Sequence, residues 1–584
     1  MKDRFEILDD FYLNGQKIKI ISGGMHYFRI VPEYWKDRLE KLKALGCNTV
    51  ETYIPWNLHE KEKGKFNFSG MLDIVSFVKT AQELGLWVIL RPSPYICAEW
   101  EFGGLPYWLL KEDGMRLRCM YPPYLRHVRE YYEKLFEVIA PLQITQGGPV
   151  LFMQVENEYG YYGNDHKYME YLKQLMLDCG CEVPLVTSDG PWGSAFDCGK
   201  IDGVLQTGNF GSKGSEQFSV IRKKIGDKPL MCMEFWVGWF DHWGVGSHQT
   251  GDIEQHAKDL DEILSEGHVN IYMFIGGTNF GFMNGSNYYD ELTPDVTSYD
   301  YDALLTEDGQ ITPKYEAFKK VIAKYTQIPQ VEWSTDIKRM GYGSLTAKRS
   351  TGLFENLHNL TTPAESVFPQ SMEKLDQGYG YILYETHLEQ EAIEKIRLHG
   401  ANDRANLFID GKPILTLYDR QLLQEHVLEE KPAGEKLSIL VENMGRVNFG
   451  TALEKQRKGI DQCVQINGHQ QYYWTQYPLR MEDISKLDYS LEHLAGTPGF
   501  FEFTFSAEQL GDTFLDFSGW GKGCVWVNGF NIGRFWEIGP QKRLYIPAPL
   551  LKQGENVITI FETEGKVGSQ ITLCDCPDLG AVSK

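Results

Sequence analysis

The first 330 residues alternate between short apolar runs rich in β-branched side chains and longer segments with the apolar spacing of a helix. This alternation is typical of βα units that build a parallel sheet. The strand-like runs are 18–28, 47–55, 86–94, 148–160, 183–190, 202–211, 228–239 and 269–280. The helix-like segments are 32–45, 71–85, 122–142, 167–178, 216–225, 254–266 and 313–325. Only the connection between the fifth and sixth runs is too short for a good helix.

Eight βα units predict an α/β fold, a (β/α)8 TIM barrel over residues 1–330. A doubly wound open sheet is the alternative. It is disfavoured because no Gly-x-Gly-x-x-Gly sequence follows an early strand and no phosphate-binding loop is present.

The pattern changes after residue 330, where short alternating runs are separated by Gly, Asn and Asp turns. The pairs Asp410-Gly411 and Asn528-Gly529 lie between alternating apolar residues, which is a strong signal for two-residue hairpins. A diffuse internal repeat relates the two hairpin regions. We therefore predict two all-β jelly-roll sandwiches after the barrel, over residues 331–490 and 491–584.

Charge and composition restrict the kinds of binding partner that we expect. The net charge is −22, which repels nucleic acid and anionic membrane and suits a neutral sugar or other small molecule. Aromatic residues make up 13% of the chain, a weak indication of sugar stacking. We expect no nucleic-acid or membrane partner. A homodimer is the oligomeric state that we consider for this chain.

Targeting signals and cysteines favour a cytoplasmic location. The segment from Met1 to Glu6 is charged and polar and resembles no signal peptide, and no window reaches the length of a membrane span. The 11 cysteines are odd in number and scattered, so reduced thiols are expected. The close pairs Cys179/Cys181 and Cys574/Cys576 leave a structural zinc site as the minor alternative.

Carboxylates follow three predicted barrel strands, at the end where such barrels carry their active sites. Glu156 and Glu158 lie at the end of the fourth predicted strand, Glu234 lies at the end of the seventh, and Glu99 lies after the third. Strands four and seven are about half a barrel apart, so their carboxylates can face each other across the mouth. Two facing carboxylates, one protonated and one ionised, are what glycoside hydrolysis needs. Spacing alone does not choose between Glu156 and Glu158, because residues two apart in a strand face the same way.

Several long motifs then give a family resemblance. They are residues 51–60, 91–106, 154–160, 276–280 and 297–302. Together they resemble the β-galactosidases of glycoside hydrolase family 35, and the likeness extends over essentially the whole chain. The resemblance implies a retaining exo-enzyme that removes terminal β-linked galactose by double displacement through a galactosyl-enzyme. It also implies that the two all-β domains are galactose-binding-like sandwiches.

The resemblance also implies roles for individual residues. Glu158 is expected to be the general acid/base, Glu234 the nucleophile, and Asn157 a hydrogen-bond partner of the sugar 2-hydroxyl. The other positions that surround galactose in the family are Tyr53, Cys97, Ala98, Glu99, Tyr272, Tyr299 and Tyr301. No cofactor and no metal are expected.

Three tryptophans follow the nucleophile's strand within ten residues, namely Trp236, Trp239 and Trp243. Trp236 departs from the Tyr of several family members. The alternatives for this cluster are packing against the β-domains and a wall on which the departing sugar stacks. The signal-less bacterial members that the chain resembles are β1,3-selective, which implies a preference for Galβ1-3GlcNAc over lactose.

Two alternative functional hypotheses remain open at this point. One is a retaining exo-glycosidase for another sugar, such as a β-glucosaminidase, because related barrels share the two-carboxylate layout. The other is a noncatalytic galactoside-binding protein on the same scaffold. The presence of both Glu158 and Glu234 argues against the second.

Overall fold

Eight buried apolar strands form a closed parallel barrel in this computed structural model, which describes residues 3–92, 94–333, 337–389 and 392–582. Met1 and Lys2, Ser93 of the 91–106 motif, and residues 334–336 near the predicted domain boundary lie outside the described residues. The barrel strands in order are Ile21–Met25, Thr49–Tyr53, Trp87–Arg91, Val150–Gln154, Leu185–Asp189, Leu205–Phe210, Met231–Trp236 and His268–Ile275. Each predicted run contains or overlaps one of these strands, and the predicted TIM barrel is confirmed.

Helices follow the strands at the predicted positions. They are Trp35–Leu45, Ile74–Glu83, Pro122–Ile139, His166–Asp178, Gly214–Ile225, Ile253–Glu266 and Pro313–Ile322. Between the fifth and sixth strands lies only the four-residue helix Ala195–Cys198, as the short spacing predicts. Several helices begin at a polar cap: the side chains of Asp73 and Asp252 accept hydrogen bonds from the backbone of the first turn. Two shorter helices lie elsewhere, at Trp56–His59 and Leu353–Leu360.

An amino-terminal hairpin closes one end of the barrel. Its two strands are Phe5–Ile7 and Phe11–Leu13, and a third short strand, Gln16–Lys17, extends the sheet. Phe5 and Phe11 stack against Phe152 of the fourth barrel strand, with ring centroids 5.7 and 5.9 Å away. Phe11 also lies 4.5 Å from the ring of His268, the first residue of the eighth strand. The hairpin therefore covers the amino-terminal ends of the strands and leaves the carboxyl-terminal ends for the site.

The first sandwich packs a six-stranded sheet on a four-stranded one. The six strands are Ala364–Ser366, Trp474–Leu479, Tyr381–His387, Lys436–Glu442, Arg404–Ile409 and Lys412–Tyr418. The four are His426–Val427, Lys395–Asn402, Gly459–Ile466 and His469–Gln470. Alternate residues of both sheets, such as Ile382 and Leu398, form the core between them.

The second sandwich also has two sheets. One contains Gly343–Thr346, Gln570–Cys574, Thr513–Asp516 and Arg543–Ile546. The other contains Arg349–Gly352, Gly499–Ala507, Gly554–Glu562, Lys522–Val527 and Phe530–Trp536. A further two-stranded ribbon, Ser286–Tyr288 with Leu292–Pro294, lies between the barrel and the sandwiches in sequence.

The pairing of residues 343–352 corrects the predicted domain boundary. Leu345 pairs with Ile571, and Ser350 pairs with Phe501, so both early strands belong to the second sandwich. The first sandwich is therefore inserted within the chain of the second, and 331–490 is wrong as one contiguous domain. Strand pairing between residues so distant in sequence has no local signal, which is why the composition pattern misses it.

Both predicted two-residue hairpins are confirmed. Asp410 and Gly411 have φ values of 46° and 76°, and Asn528 and Gly529 have values of 50° and 85°. Positive φ at both central residues is the type I′ geometry that matches the twist of the flanking strands. In the described part of the chain, no helix combines the length and apolar character needed to cross a membrane.

Candidate active site

A cavity of about 250 Å³ opens at the carboxyl-terminal end of the barrel. Eleven of the predicted site residues line it, namely Tyr53, Cys97, Ala98, Glu99, Asn157, Glu158, Glu234, Trp236, Trp239, Tyr272 and Tyr301. They come from strands and loops far apart in sequence, as expected for a barrel whose strand ends share one mouth. Two predicted residues, Tyr299 and Trp243, do not line the cavity.

Glu234 lies near the end of the seventh strand and is 5% exposed. Its Oε1 lies 2.7 Å from the hydroxyl of Tyr53 and 2.6 Å from Nη2 of Arg91. Its Oε2 accepts a hydrogen bond of 3.0 Å from the indole N–H of Trp236. Three donors aimed at one carboxylate fix its orientation in the cavity.

Arg91 ends the third strand and connects this carboxylate to the barrel interior. It donates to Gln154 at 2.9 Å and to Asn157 at 2.8 Å, and its guanidinium lies 4.0 Å from the ring centroid of Tyr53. Its Nη1 faces the buried carboxyl of Glu51 at 3.6 Å. Burial raises the pKa of Glu51 to about 7, against the opposing effect of Arg91. Arg91 is therefore the central positive charge beneath the site.

Glu158 lines the same cavity in a different environment. It is half-buried, has a left-handed φ of 45°, and its backbone N–H donates to the carbonyl of Ser188 at 3.0 Å. The side-chain amide of Asn209 donates to its Oε1 at 3.0 Å. Burial and the neighbouring Glu234 carboxylate raise the pKa of Glu158 to about 7. This group can therefore hold a proton near neutral pH.

Glu156 points away from the cavity and is paired. Arg118 binds both of its oxygens, at 2.9 and 2.8 Å, and the hydroxyl of Tyr168 donates to it at 3.1 Å. The expectation that Glu156 and Glu158 face the same way is wrong, because the strand ends at Gln154. Beyond it both glutamates have left-handed φ values, so the alternation of a strand no longer applies. The structure thus separates a buried ion pair from a cavity carboxyl.

The loop after the third strand turns on three successive left-handed residues. Cys97, Ala98 and Glu99 have φ values of 56°, 55° and 47°. Non-glycine residues seldom adopt this conformation, and runs of them concentrate at functional sites. Arg29 fixes the turn by donating to the carbonyl of Ala98 at 2.5 Å. Burial and the nearby Asp295 raise the pKa of Glu99 to about 8.

Tyrosines surround the floor of the cavity. Tyr272 and Tyr301 line it directly, with ring centroids 5.6 Å apart. Tyr299 lies behind them, where its hydroxyl donates to the carboxyl of Glu99 and lies 3.3 Å from the hydroxyl of Tyr272. Tyr299 therefore positions a lining residue and is not one itself.

The three clustered tryptophans have different places. Trp236 is half-buried beside Glu234, and Trp239 is 46% exposed at the cavity mouth. Trp243 is 6% exposed and belongs to the hydrophobic core of the second sandwich, together with Val296 and Phe503. Its prediction as a substrate-binding residue is not supported, because the loop turns away from the cavity and Trp243 packs against the β-domain.

Sequence reasoning missed part of the lining. The missed residues are Ile96, Tyr161, Trp192, Phe240, Asn287, Tyr289 and Phe449. Trp192 follows the fifth strand by three residues, so the strand-end rule could have found it. Arg91 and Asn209, which hold the two glutamates, also lie at strand ends. Phe449 comes from the first sandwich and carries no local signal.

Cavity geometry suits acid/base and nucleophilic chemistry on one bond. A carboxylate held by three donors faces the same cavity as a carboxyl that can keep a proton near neutral pH. This division of roles is the one used in glycoside hydrolysis. Within the described residues, no group of three or more His, Cys, Asp or Glu side chains is arranged to hold a metal ion.

Comparisons with known proteins agree with this chemistry. The profile "Glycosyl hydrolases family 35" matches residues 10–325, and two β-galactosidase profiles match the sandwiches, "first all-beta domain" at 369–480 and "galactose-binding domain" at 498–556. Beta-galactosidase-1-like protein 2 of Homo sapiens is 41% identical, over 98% of this chain and 91% of its own length. The Beta-galactosidase of Xanthomonas manihotis is 40% identical, over 92% of this chain and 90% of its own. Beta-galactosidase 1 of Dictyostelium discoideum is 38% identical, over 95% and 91%. The chain belongs to glycosyl hydrolase family 35.

Proposed function

We propose that this family 35 chain is a retaining exo-β-galactosidase that acts by double displacement. The observation that carries the proposal is the contrast between two glutamates in one cavity. Glu234 receives hydrogen bonds from Tyr53, Arg91 and Trp236, whereas Glu158 receives one from Asn209 and has a raised pKa. The first suits a nucleophile and the second an acid/base. The choice of galactose as the sugar rests on membership of a family whose relatives are named β-galactosidases.

In the first step, a carboxylate oxygen of Glu234 attacks the anomeric carbon while Glu158 gives its proton to the glycosidic oxygen. The bond to the leaving sugar breaks, and a covalent galactosyl-enzyme forms. In the second step, Glu158, now ionised, takes a proton from water, whose oxygen attacks the anomeric carbon. Glu234 leaves as the carboxylate, and Glu158 is again protonated. Two inversions give net retention at the anomeric carbon.

Asn157 is suited to the sugar 2-hydroxyl because its carbonyl is already occupied. That oxygen accepts from Arg91 Nη2 at 2.8 Å and from Gln154 Nε2 at 3.0 Å. Asn157 lines the cavity, and its NH₂ group donates a long hydrogen bond of 3.3 Å to the carbonyl of Ile96. An amide locked in this orientation offers an N–H to the sugar, and such a bond strengthens in the transition state.

Cavity size supports exo action on one sugar unit. Its volume of about 250 Å³ is smaller than that of pockets for drug-sized ligands, which begin at about 300 Å³. Trp239, Trp192 and Tyr289 are 46%, 41% and 66% exposed at the mouth, where a departing sugar would pass. Rigid aromatic faces accept a sugar only at certain angles. The β1,3 preference implied by the family resemblance is part of this proposal, with these aromatic side chains as its structural basis.

Azide rescue tests the two roles in one experiment. With an activated aryl galactoside, which needs no acid, Glu158→Ala should react with azide to give the β-galactosyl azide. Glu234→Ala should give the α-galactosyl azide, because azide then replaces the missing nucleophile. The wild-type enzyme is the control and should give galactose as its main product. Swapped anomers would reverse the assignment, and no rescue of either variant would contradict the mechanism.

A further inference from the structure

In the part of the chain that the structure describes, the acid/base carboxyl has one hydrogen-bonded side-chain partner, which fixes its orientation. Asn209, at 0% exposure near the end of the sixth strand, donates from its amide nitrogen to Oε1 of Glu158 at 3.0 Å. On its other side, its amide oxygen accepts a hydrogen bond of 2.5 Å from the hydroxyl of Ser188. Ser188 is also buried, at 2% exposure. The three side chains therefore form a buried line that ends at the cavity.

Ser188 determines which end of the amide faces the carboxyl. Its hydroxyl hydrogen needs an acceptor, and the amide oxygen of Asn209 is the acceptor within reach. The NH₂ end is thereby turned toward Glu158. The backbone carbonyl of Ser188 also accepts from the backbone N–H of Glu158 at 3.0 Å. One residue thus holds the acid/base through both its main chain and its side chain.

The geometry points to Asn209, oriented by Ser188, as a positioning residue that reserves Oε1 of Glu158 as an acceptor and leaves Oε2 to carry the catalytic proton. A carboxyl oxygen that accepts an N–H cannot at the same time present its own proton along that line. The proton is therefore held on the other oxygen. This inference rests on the proposed acid/base role of Glu158 and adds how the chain selects the oxygen that acts.

Charged groups from other elements also face Glu158 and set its titration. They are Glu234 on the seventh strand, Arg91 on the third and Arg118 in the following loop. The carboxyl of Asp189 on the fifth strand also lies near Glu158, and burial raises the pKa of Asp189 well above its ordinary value. The titratable groups Tyr95, Cys97, Tyr161 and Tyr301 lie nearby and are neutral near pH 7, because burial raises the pKa of each. Among the described residues, the side-chain hydrogen bonds of this pair join Ser188 to Asn209 and Asn209 to Glu158, so changing the pair tests its effect separately from the effect of these groups.

Two variants test the inference by the profile of kcat/KM against pH. An N–H donor stabilises the ionised form of Glu158, so its loss should raise the pKa of that group. Activity requires the protonated form, and the basic limb should therefore move to higher pH. We expect a shift of about one pH unit in Asn209→Ala. We expect a smaller shift in the same direction in Ser188→Ala, which removes only the orienting hydroxyl.

Leaving-group dependence gives a second readout that a purely structural role would not change. Methyl β-galactoside needs acid assistance, whereas 2,4-dinitrophenyl β-galactoside does not. In both variants, kcat/KM for the methyl glycoside should fall about 10-fold more than kcat/KM for the dinitrophenyl glycoside. Thr207→Val is the matched control, because this buried residue lies on the same strand and its hydroxyl donates to the carbonyl of Thr187, away from Glu158. It should keep the wild-type limb and the wild-type substrate ratio.

Glu158→Ala in the same assays separates this inference from the proposed function. If Glu158→Ala shows no difference between the two substrates, the acid/base assignment itself fails. If Glu158→Ala shows the difference but Asn209→Ala and Ser188→Ala lose both activities equally with an unmoved basic limb, the positioning role is wrong. Thermal unfolding of each variant shows that the comparison is made on folded protein. Ser188→Ala removes a single oxygen and supplies the test should Asn209→Ala not fold.

Discussion

Nη2 of Arg91 lies 2.6 Å from Oε1 of Glu234, and the two side chains are 0% and 7% exposed. A pair so far from water has a high desolvation cost, which only close geometry and further hydrogen bonds offset. Gln154, Asn157 and Tyr53 supply those bonds. The pair therefore holds the seventh-strand carboxylate in its place at the cavity.

Arg91→Lys tests this support directly. Lysine keeps the charge but loses the planar fork that reaches several partners at once. We expect kcat/KM for an aryl galactoside to fall about 10- to 100-fold, because a loss of this size corresponds to one charge-assisted hydrogen bond. Arg349→Lys is the control, because Arg349 also binds a carboxylate with its fork, that of Glu502, but on the second sandwich. Equal losses in the two variants would contradict a local role for Arg91.

Activity should fall as pH rises through about 7, where Glu158 loses its proton. Above that value, kcat/KM should decrease about tenfold per pH unit. Glu99 has a pKa of about 8, so the limb must be assigned by mutation. In Glu158→Ala, measured with an activated aryl galactoside, the limb near 7 should be absent. A limb that persists unchanged in this variant would assign it to another group.

Glu156→Ala separates structural from catalytic carboxylates. Removing it leaves Arg118 buried without the carboxylate that binds its guanidinium, which costs about 3–5 kcal/mol of unfolding free energy. Urea unfolding measures this loss. Azide should not form a galactosyl azide with Glu156→Ala, in contrast to Glu158→Ala. Rescue of Glu156→Ala by azide would mean that the two glutamates have been assigned the wrong way round.

Trp239→Ala tests whether the exposed aromatic mouth selects the linkage. One stacking contact contributes about 0.5–1.5 kcal/mol, or about 2- to 13-fold in rate. The ratio of kcat/KM for Galβ1-3GlcNAc to that for lactose should fall by that factor, with less effect on a nitrophenyl galactoside.

Trp243→Ala is the matched control for this test, because Trp243 lies in the core of the second sandwich. It should lower stability and leave the linkage ratio unchanged. If the ratio changes only in Trp243→Ala, the mouth is not the source of the preference.

Local patterns were enough to predict the barrel and to place glutamates at the ends of its fourth and seventh strands, whereas the choice of Glu158 over Glu156 came from the family resemblance. Each apolar run forms its strand because its side chains are buried on both faces, and the polar residue at its end then reaches the mouth. The hairpins at Asp410-Gly411 and Asn528-Gly529 are equally local. These features depend on a few neighbouring residues, so one sequence shows them.

Other features depend on distant contacts and could not be predicted in this way. Residues 343–352 pair with strands more than a hundred positions later, and Phe449 reaches the cavity from the first sandwich. The separation of Glu156 from Glu158 depends on where the strand ends and on Arg118, which is 38 residues away. Trp243 is buried by a domain whose position no local pattern shows.

Trapping the covalent intermediate tests the central claim most directly. The enzyme is incubated with 2-deoxy-2-fluoro-β-galactosyl fluoride, digested with a protease, and its peptides are sequenced by mass spectrometry. We predict one fluorogalactosyl adduct, on Glu234, and none in Glu234→Gln. An adduct on Glu158 or Glu156 would contradict the account. So would the absence of any adduct together with hydrolysis of a good substrate with inversion at the anomeric carbon.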